Sequence, residues 1–440
     1  MAFAEFDLLR AEISDLGLAR PVGRVAEVGR GTIEVSGLSV CASLGDRAKI
    51  RCQSGREIGA EVLSLRQDMV TLLADGAVEG IAIRDQVELL GQARIAPHDS
   101  WVGRIVDAFG RPLDGRPLLR GAQERDLRAP PPAAAQRQRL GARIETGTAV
   151  FNTLLPLVRG QRIGLFAGSG VGKSSLLAKF ARGVSADVVV IALIGERGRE
   201  LREFVEKVLG PEGMARSVIV AATSDQSPLV RRRCAWAAMS VAEHFRDQGK
   251  HVLFLADSVT RFAEAHREVA LAGGEPPSLR GFPPSTSHQI MSLAERAGPG
   301  LEGSGDITAV FSVLVAGSDM EEPIADILRG VLDGHVVLDR RIAERGRFPA
   351  VDLLRSVSRS LPDAASAAEN TLIATARRLL GAYDRAEMMI QAGLYAAGSD
   401  PTIDAAIRVW PGLDEFLAQD EPENTQASFA RMAQVLAVGG

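Results

Sequence analysis

QRIGLFAGSGVGKSSLLAKF, residues 161–180, is the stretch that decides the fold of this 440-residue chain. The apolar run 163–167 predicts a buried strand. After it, the spacing of Leu176, Leu177 and Phe180 predicts a helix with one inward face. The two elements are joined by a glycine-rich turn, and a strand, such a turn and a helix in this order are typical of a phosphate-binding loop.

The turn itself supplies the chemistry of a polyphosphate cradle. Glycines let backbone N–H groups point inward, and the start of the helix adds a partial positive charge. Lys173 would reach the outer phosphates, and the Ser174 hydroxyl would hold Mg²⁺. Ala167 occupies the first position of the pattern G-x-x-x-x-G-K-[ST], where the pattern has glycine; a small residue is tolerable there. The alternative is a glycine-rich turn that caps an ordinary helix. The predicted cradle consists of Gly168, Ser169, Gly170, Val171, Gly172, Lys173, Ser174 and Ser175.

Composition limits the class of protein. Hydrophobic residues make up 46% and charged residues 24% of the chain, which is typical of a soluble globular protein. The net charge of −4 provides no basic field that would recruit nucleic acid. The sequence has neither a signal-peptide layout nor a run of about 18 apolar residues, so we expect a cytoplasmic protein with at most peripheral membrane contact.

Residues 1–19 predict a short amphipathic helix. Phe6, Leu9, Ile13 and Leu16 recur at spacings of three and four and form one apolar stripe. A helix this short is not stable alone, so the stripe must dock, either on the body of the protein or on a partner.

Residues 20–95 predict a small β-barrel domain. Short strands alternate with turns rich in Gly, Asp and Ser. The segment contains no aromatic residue on which bases could stack, which favours a structural or oligomer-forming role over oligonucleotide binding. Residues 96–150 are rich in Gly, Pro and Ala and are interpreted as a linker-like passage that leads into the next domain.

From residue 151 to about 350, apolar strands alternate with helices, which predicts a mostly parallel sheet covered on both faces. Ligands bind at the carboxyl ends of such strands, where the glycine-rich turn falls. Residues 362–440 lose the strands and predict a helical domain. The predicted fold class is therefore α/β: a P-loop core at 96–361 between a β-barrel domain at 20–95 and a helical C-terminal domain at 362–440. The predicted strands of the core are 163–167, 187–195, 217–223, 251–257, 307–317 and 335–339.

Two carboxylates follow strands that should end at the same edge as the turn. Asp257 ends HVLFLAD and can order Mg²⁺ through its waters, although strand-end aspartates also cap helices. Glu196 follows the strand 187–195 and can activate or orient an attacking water; the alternative is a surface glutamate paired with Arg197 or Arg199. Two further residues, Phe348 and Arg359, have no role that can be read from the residues alone.

Taken together, these motifs resemble the rotary and secretion ATPases related to the α and β subunits of F-type ATP synthase. The segments are AGSGVGKS, IGERGRE, HVLFLADSVTRF, RGFPPS and PAVDLLRSVSR, and the resemblance spans about residues 20–410. Within that family the segments DSVTRFA, FRDQGKHVLF and YAAGSDPTIDAAI are similar in sequence to those of the flagellum-specific ATPases of type III protein export.

The resemblance implies an ATP- and Mg²⁺-dependent enzyme with a RecA-like core. Lys173 and Ser174 would bind phosphates and Mg²⁺, Asp257 would order Mg²⁺, and Glu196 matches the catalytic carboxylate. Beside Glu196, Arg197 would bind or sense phosphate. Phe348 stands where relatives carry an adenine-stacking aromatic residue, and Arg359 matches the arginine that crosses to a neighbouring subunit. Because one chain carries both Glu196 and Arg359, identical copies could form a homohexamer with interfacial sites.

The expected function is that of an ATP-hydrolysing motor of the flagellar type III export apparatus, peripherally associated with the inner membrane. Its implied partners are further copies of itself, a stator-like regulator at the N-terminal helix, a central stalk protein, the export gate and chaperone–substrate complexes. The alternatives are the equivalent ATPase of a virulence injectisome and, in another class, a hexameric RNA translocase resembling Rho. A further alternative is a nucleotide-binding subunit without enzymatic activity.

Overall fold

The structure, a computed structural model, describes residues 19–29, 31–315, 320–421 and 423–439. The predicted fold class is confirmed: a closed barrel precedes a largely parallel sheet, and helices follow it. The helix predicted for residues 1–19 falls outside the described residues except for residue 19, and it stays a prediction. Within the described ranges, no helix is both long and apolar enough to span a membrane.

Six antiparallel strands form the barrel: β1 (Val22–Val28), β2 (Thr32–Ser36), β3 (Arg47–Arg51), β4 (Glu57–Leu65), β5 (Met69–Ala74) and β6 (Gln86–Gly91). They close in the order β1-β2-β5-β4-β3-β6. The inside of the barrel follows from the period of two in each strand. In β2, for example, Ile33 and Val35 are fully buried while their neighbours are partly exposed.

An eight-stranded sheet forms the core, and seven of its strands run parallel. Both faces are covered, which is why the strands consist of almost continuous apolar residues. The strands are β8 (Arg104–Asp107), β10 (Arg162–Ala167), β11 (Val188–Glu196), β12 (Ser217–Thr223), β13 (Val252–Asp257), β14 (Ile307–Leu314), β15 (Gly334–Leu338) and β16 (Val351–Ser358). Their order in the sheet is β16-β15-β10-β14-β13-β11-β12-β8. A separate ribbon pairs β7 (Arg94–Ile95) with β9 (Arg125–Asp126).

The interpretation of residues 96–150 as a linker-like passage is wrong in part. Strand β8 lies at the edge of the main sheet and pairs in parallel with β12. Four residues are too few to display a period, and the pairing depends on a partner more than a hundred residues away. Strand β16, at the other edge, was also not predicted; it runs antiparallel to β15.

Helices cover both faces of the sheet. Those of the core are α1 (Ala149–Asn152), α2 (Lys173–Gly183), α3 (Gly198–Glu203), α4 (Gly210–Ala215), α5 (Pro228–Asp247), α6 (Val259–Ala272), α7 (Ser285–Arg296), α8 (Pro323–Val331) and α9 (Arg340–Glu344). A π-helical turn, Phe204–Leu209, joins α3 to α4, and single 3₁₀ turns lie at Asp99–Trp101, Ala134–Gln136 and Leu279–Gly281.

Three further helices, α10 (Ala367–Gln391), α11 (Pro401–Ala418) and α12 (Thr425–Ala437), form the C-terminal region. Each begins at a side chain that accepts a hydrogen bond from the first turn: Ser366, Asp400 and Asn424. Their buried residues belong to the same apolar cluster as α2 and β10, so the C-terminal helices and α2 cover the same face of the sheet.

The barrel is joined to the core through a buried cluster of charges. Glu61 of β4 is 3% exposed, and its carboxylate lies 2.7 Å from both Arg128 and Arg232 and 3.5 Å from Arg233. Arg232 and Arg233 lie in α5, so one carboxylate of the barrel balances two buried cations of the core. A buried ion pair is costly to break because the remaining charge stays uncompensated.

We therefore expect Glu61→Gln to destabilise the protein by about 3 kcal/mol, since it leaves buried Arg232 without its carboxylate partner. Denaturant unfolding measures this loss. The matched control is Glu57→Gln in the same strand, whose carboxylate pairs with Lys49 and Arg51 at half exposure. The control should change stability by less than about 0.5 kcal/mol. Equal stability of the two variants would contradict the role given to Glu61.

Candidate nucleotide-binding and active site

The glycine-rich turn leaves the end of β10 with Ala167 still in the sheet. Ala167 is fully buried and pairs with Leu314 and Leu338 of the neighbouring strands. Positive φ angles occur later, at Gly170 (77°) and Gly172 (86°). These are the positions that require glycine. Alanine is acceptable at position 167 because the backbone there is ordinary strand.

Lys173 and Asp257 meet at the carboxyl edge of the sheet. Lys173 opens α2 and Asp257 ends β13, and the Nζ atom of Lys173 contacts Oδ1 of Asp257. Asp257 is 3% exposed, and the hydroxyl of Ser312 donates a 2.8 Å hydrogen bond to the same Oδ1 atom. The structure thus brings together the cation and the carboxylate that the sequence predicted. Ser174 and Ser175 follow in the first turn of α2 and are exposed, as are Ser169 and Gly170 of the turn.

Glu196, at the end of β11, lies within the electrostatic reach of this pair. Partial burial and the negative charge of Asp257 raise the pKa of Glu196 from its ordinary 4.5 to about 7. Lys173 lowers the pKa and a hydrogen bond with Glu200 raises it further. A carboxyl group with a pKa near neutrality at the edge of a phosphate-binding turn can exchange a proton with a bound water.

Arg197 is largely exposed and pairs with Glu200, the residue that also forms a hydrogen bond with Glu196. Its guanidinium is 79% exposed and lies 3.4 Å from Oε1 of Glu200 on the following helix. Three further arginines have atoms beside Gly195 or the turn. A Cβ atom built on Gly195 would lie 3.4 Å from Arg231 Cδ and 3.6 Å from Arg261 Cβ. Arg340 donates a 3.2 Å hydrogen bond to the carbonyl oxygen of Ser169 in the turn.

Sequence reasoning missed Ser312, Arg261 and Arg340. A signal existed for Ser312, since it is the single polar residue between Ala309 and Val315 in an apolar strand. Arg261 is the third residue of the helix that follows Asp257, which would have placed it near the carboxyl end of β13. Arg340 had no comparable signal, because its helix α9 is only five residues long.

Phe348 lies beside the turn. A Cβ atom built on Gly172 would lie 3.1 Å from Cδ1 of the Phe348 ring. The ring is 48% exposed, so one of its faces is accessible to a planar group.

Arg359 lies where the parallel strands begin, opposite the carboxyl ends that carry the turn. Strand β16 runs antiparallel, so Val351 pairs with Leu338 near the turn while Ser358 pairs with Gly334 at the far end of β15. Four residue steps of β15, at about 3.3 Å each, separate the two ends by roughly 13 Å, and the additional residues of β16 are taken up by an irregularity between His335 and Val337. Arg359 follows directly, and its side chain donates a 3.1 Å hydrogen bond to the carbonyl of Arg329. Within one chain, Arg359 therefore does not reach Lys173 or Glu196.

A cleft of about 810 Å³ lies between the turn, α9 and the C-terminal helices. Its walls include Ser169, Arg340, Tyr383 and Trp410, and the last two rings stack with centroids 4.2 Å apart. Lys173, Glu196 and Asp257 are not among its walls. The cleft is thus a neighbour of the reaction centre and not the centre itself.

The raised pKa of Glu196 should be visible in stability. Below pH 4.5 the group is neutral in both states; above pH 4.5 it ionises first in the unfolded chain, which costs the folded protein stability until about pH 7. Glu196→Gln removes this cost. We expect the variant to gain stability over the native protein as pH rises from 4.5 to 7, with a constant difference above, as measured by unfolding at several pH values. Glu203→Gln, which removes an exposed surface carboxylate, is the control. A difference independent of pH would contradict the assignment.

Two family models match the chain. The nucleotide-binding domain of the ATP synthase alpha/beta family matches residues 147–358, and the T3SS EscN ATPase C-terminal domain matches residues 365–436. A flagellum-specific ATP synthase from Caulobacter vibrioides is 45% identical over 423 residues, covering 94% of this chain and 95% of the relative.

Solved structures agree with these matches. The assembled ATPase EscN from the type III secretion system of enteropathogenic E. coli is 38% identical and aligns with a TM-score of 0.86, over 94% of this chain and 100% of EscN. EscN in complex with its central stalk EscO aligns at 0.85 with the same identity and coverage. The chain belongs to the ATP synthase alpha/beta family, and within it to the flagellum-specific and type III secretion ATPases.

Proposed function

We propose that this ATPase is the motor of a flagellar type III export apparatus and that it works as a homohexamer with a catalytic site at each subunit interface. One observation carries the proposal. The phosphate-binding turn, Lys173, Asp257 and Glu196 share one edge of the sheet, while Arg359 stands at the other edge. A complete hydrolytic site then requires two copies of the chain.

Each residue at the edge has a role that its position supports. Backbone N–H groups of the turn and Lys173 hold the outer phosphates of ATP. Ionised Glu196 orients a water molecule toward the terminal phosphorus and accepts its proton, giving ADP and phosphate. Arg359 of a second copy stabilises the charge that develops on the transferred group. The assignment of Arg197 as a phosphate sensor stays a prediction that requires its side chain to leave Glu200.

The donor set fits Mg²⁺ held jointly by protein and nucleotide. Ser174 offers a hydroxyl and Asp257 a carboxylate, both of them hard oxygen ligands. In the described part of the chain, no group of three or more His, Cys, Asp or Glu side chains could hold a metal by itself. Mg²⁺ bound here would neutralise charge on the phosphates, and Asp257 would exchange its contact with Lys173 for the waters of the ion.

The adenine ring is proposed to stack on Phe348. The accessible ring face beside Gly172 is at the start of α2, where the base of a nucleotide bound by the turn has room to lie. Stacking on an aromatic ring accepts any planar base, so this contact contributes affinity more than selectivity.

Partners are proposed from chemistry on the C-terminal hairpin and from the solved relatives. The last turn of α10 and the loop that follows it expose Met388 (82%) and Leu394 (77%), an apolar tip suited to a stalk protein like that bound to EscN. Contacts with a stator-like regulator through residues 1–18, with the export gate at the membrane and with chaperone–substrate complexes stay predictions. RNA binding is disfavoured because residues 20–95 carry no aromatic side chain.

The second candidate is the same motor in an injectisome. It is favoured by one observation, the match of residues 365–436 to the EscN C-terminal domain.

We expect Glu196→Gln to lower turnover by at least about 100-fold, since the water loses its base, while nucleotide affinity survives because the cradle is unchanged. Phosphate release and binding of a fluorescent ATP analogue measure the two effects. Glu203→Gln, an exposed glutamate on the next helix, should leave both unchanged. Undiminished turnover of Glu196→Gln would favour a nucleotide-binding subunit without enzymatic activity.

The same variant tests the export system in the source cell. Replacing the native gene with Glu196→Gln should remove filament and hook proteins from the medium and abolish motility. Loss of secreted injectisome effectors with intact motility would instead support the second candidate.

Arg359→Ala should abolish cooperative hydrolysis and lower the rate about 10³-fold, because an arginine finger stabilises the transition state from outside the binding pocket. ATPase activity measured over rising protein concentration gives the rate and its cooperativity. Arg378→Ala, at an exposed helical position, is the control. Full activity of Arg359→Ala would rule out the finger.

A further inference from the structure

The backbone around Arg359 is held by a buried hydrogen-bond network that has no role in the mechanism proposed above. Gln161 is fully buried and directly precedes β10. Its Nε2 group donates hydrogen bonds of 3.1 Å to the carbonyl of Asp333 and 3.1 Å to the hydroxyl of Ser358. Its Oε1 atom accepts a 3.0 Å bond from the backbone N–H of Val158.

Both groups that accept hydrogen bonds from Gln161 also hold the backbone around Arg359. The backbone N–H of Arg359 donates a 3.0 Å hydrogen bond to the same carbonyl of Asp333. Ser358 is the residue before Arg359, and its hydroxyl lies 2.8 Å from the carbonyl of Pro156 and 2.8 Å from the hydroxyl of Ser360. One amide group thus ties together the two points from which the finger projects.

The same amide is also fixed to the strand that carries the phosphate-binding turn. Gln161 lies at the start of β10, and the turn follows the other end of that strand. Asp333 is fixed to the same strand, since its carboxylate accepts 3.0 Å and 3.1 Å bonds from the backbone and side chain of Arg162. The segment that presents Arg359 to a neighbouring copy is therefore hydrogen-bonded to β10, the strand that leads into the copy's own turn.

We propose that Gln161 is a positioning residue for the arginine finger, acting on the site of the adjacent copy and not on the site of its own chain. The proposal rests on the function given above, in which Arg359 acts across the interface. The planar amide fits this task because it donates twice and accepts once with fixed directions. A displacement of a finger by about 1 Å costs on the order of 100-fold in rate.

Gln161→Met keeps the size of the side chain and removes all three hydrogen bonds. We expect the homo-oligomeric variant to lose about 10- to 100-fold in kcat, with KM and binding of an ATP analogue within about threefold of native values. Gln138→Met is the matched control, since it removes one exposed amide-to-carbonyl bond, to Leu301, outside the finger network.

Mixed oligomers provide the decisive readout. Lys173→Ala removes the phosphate contact of a copy but leaves its finger intact. When it is mixed with Gln161→Met, an interface is complete if the Gln161→Met copy supplies the turn and the Lys173→Ala copy supplies Arg359. We expect the 1:1 mixture to recover activity to about a quarter of native, because a head-to-tail interface forms that pairing in one case of four. A residue with only a structural role in its own site would not be rescued.

Arg359→Ala mixed with Lys173→Ala separates the two proposals. Failure of this mixture to recover activity would contradict the finger and hence the proposed function. Recovery here without recovery for Gln161→Met, native turnover of Gln161→Met, or loss of its analogue binding would each overturn the positioning role alone. If Gln161→Met does not fold, Ser358→Ala takes its place: it removes one acceptor of the amide and should be rescued by Lys173→Ala in the same way.

Discussion

The reversal of one edge strand is the constraint on which the rest of this molecule depends. Seven parallel strands deliver their carboxyl ends to one edge, and there the turn, Lys173, Glu196 and Asp257 gather. Strand β16 alone runs the other way, so the residue after it emerges at the opposite edge. A single chain thus separates Arg359 from the turn, and under the proposed function association of chains becomes a condition of activity.

The charged side chains at the carboxyl ends of the strands suit the proposed chemistry but lower the stability of the folded protein. Asp257 is buried and balanced by Lys173, and Ser312 fixes the orientation of its carboxylate. For Glu196, burial and the charge of Asp257 outweigh the attraction of Lys173 and raise its pKa to about 7. An acid that resists ionisation is costly in a folded protein and suits a group that must take up a proton. At the barrel junction the situation is the reverse: Glu61 is matched by two buried arginines and only holds domains together.

Sequence patterns predicted what depends on neighbours along the chain. The strand, turn and helix around Lys173, and the carboxylates at the ends of β11 and β13, follow from local periodicity and from the rule that parallel strands share an edge. What depends on distant pairing was missed. Strand β8 is too short to show a periodic pattern in the sequence, and the direction of β16 is fixed only by its contact with β15. The outward direction of Arg197 is equally beyond sequence patterns, because an exposed side chain is placed by its nearest opposite charge, here Glu200.

In the proposed assembly the turn of one copy meets Arg359 of the next, so the copies join head to tail. Each subunit of such a ring receives an arginine from one neighbour and offers its own to the other, which gives the ring a direction. Gln161 and the turn lie at the two ends of one strand, so the site that a subunit completes and the site that it owns would be linked through that strand. The direction of the proposed ring thus follows from the antiparallel direction of the eight-residue strand β16.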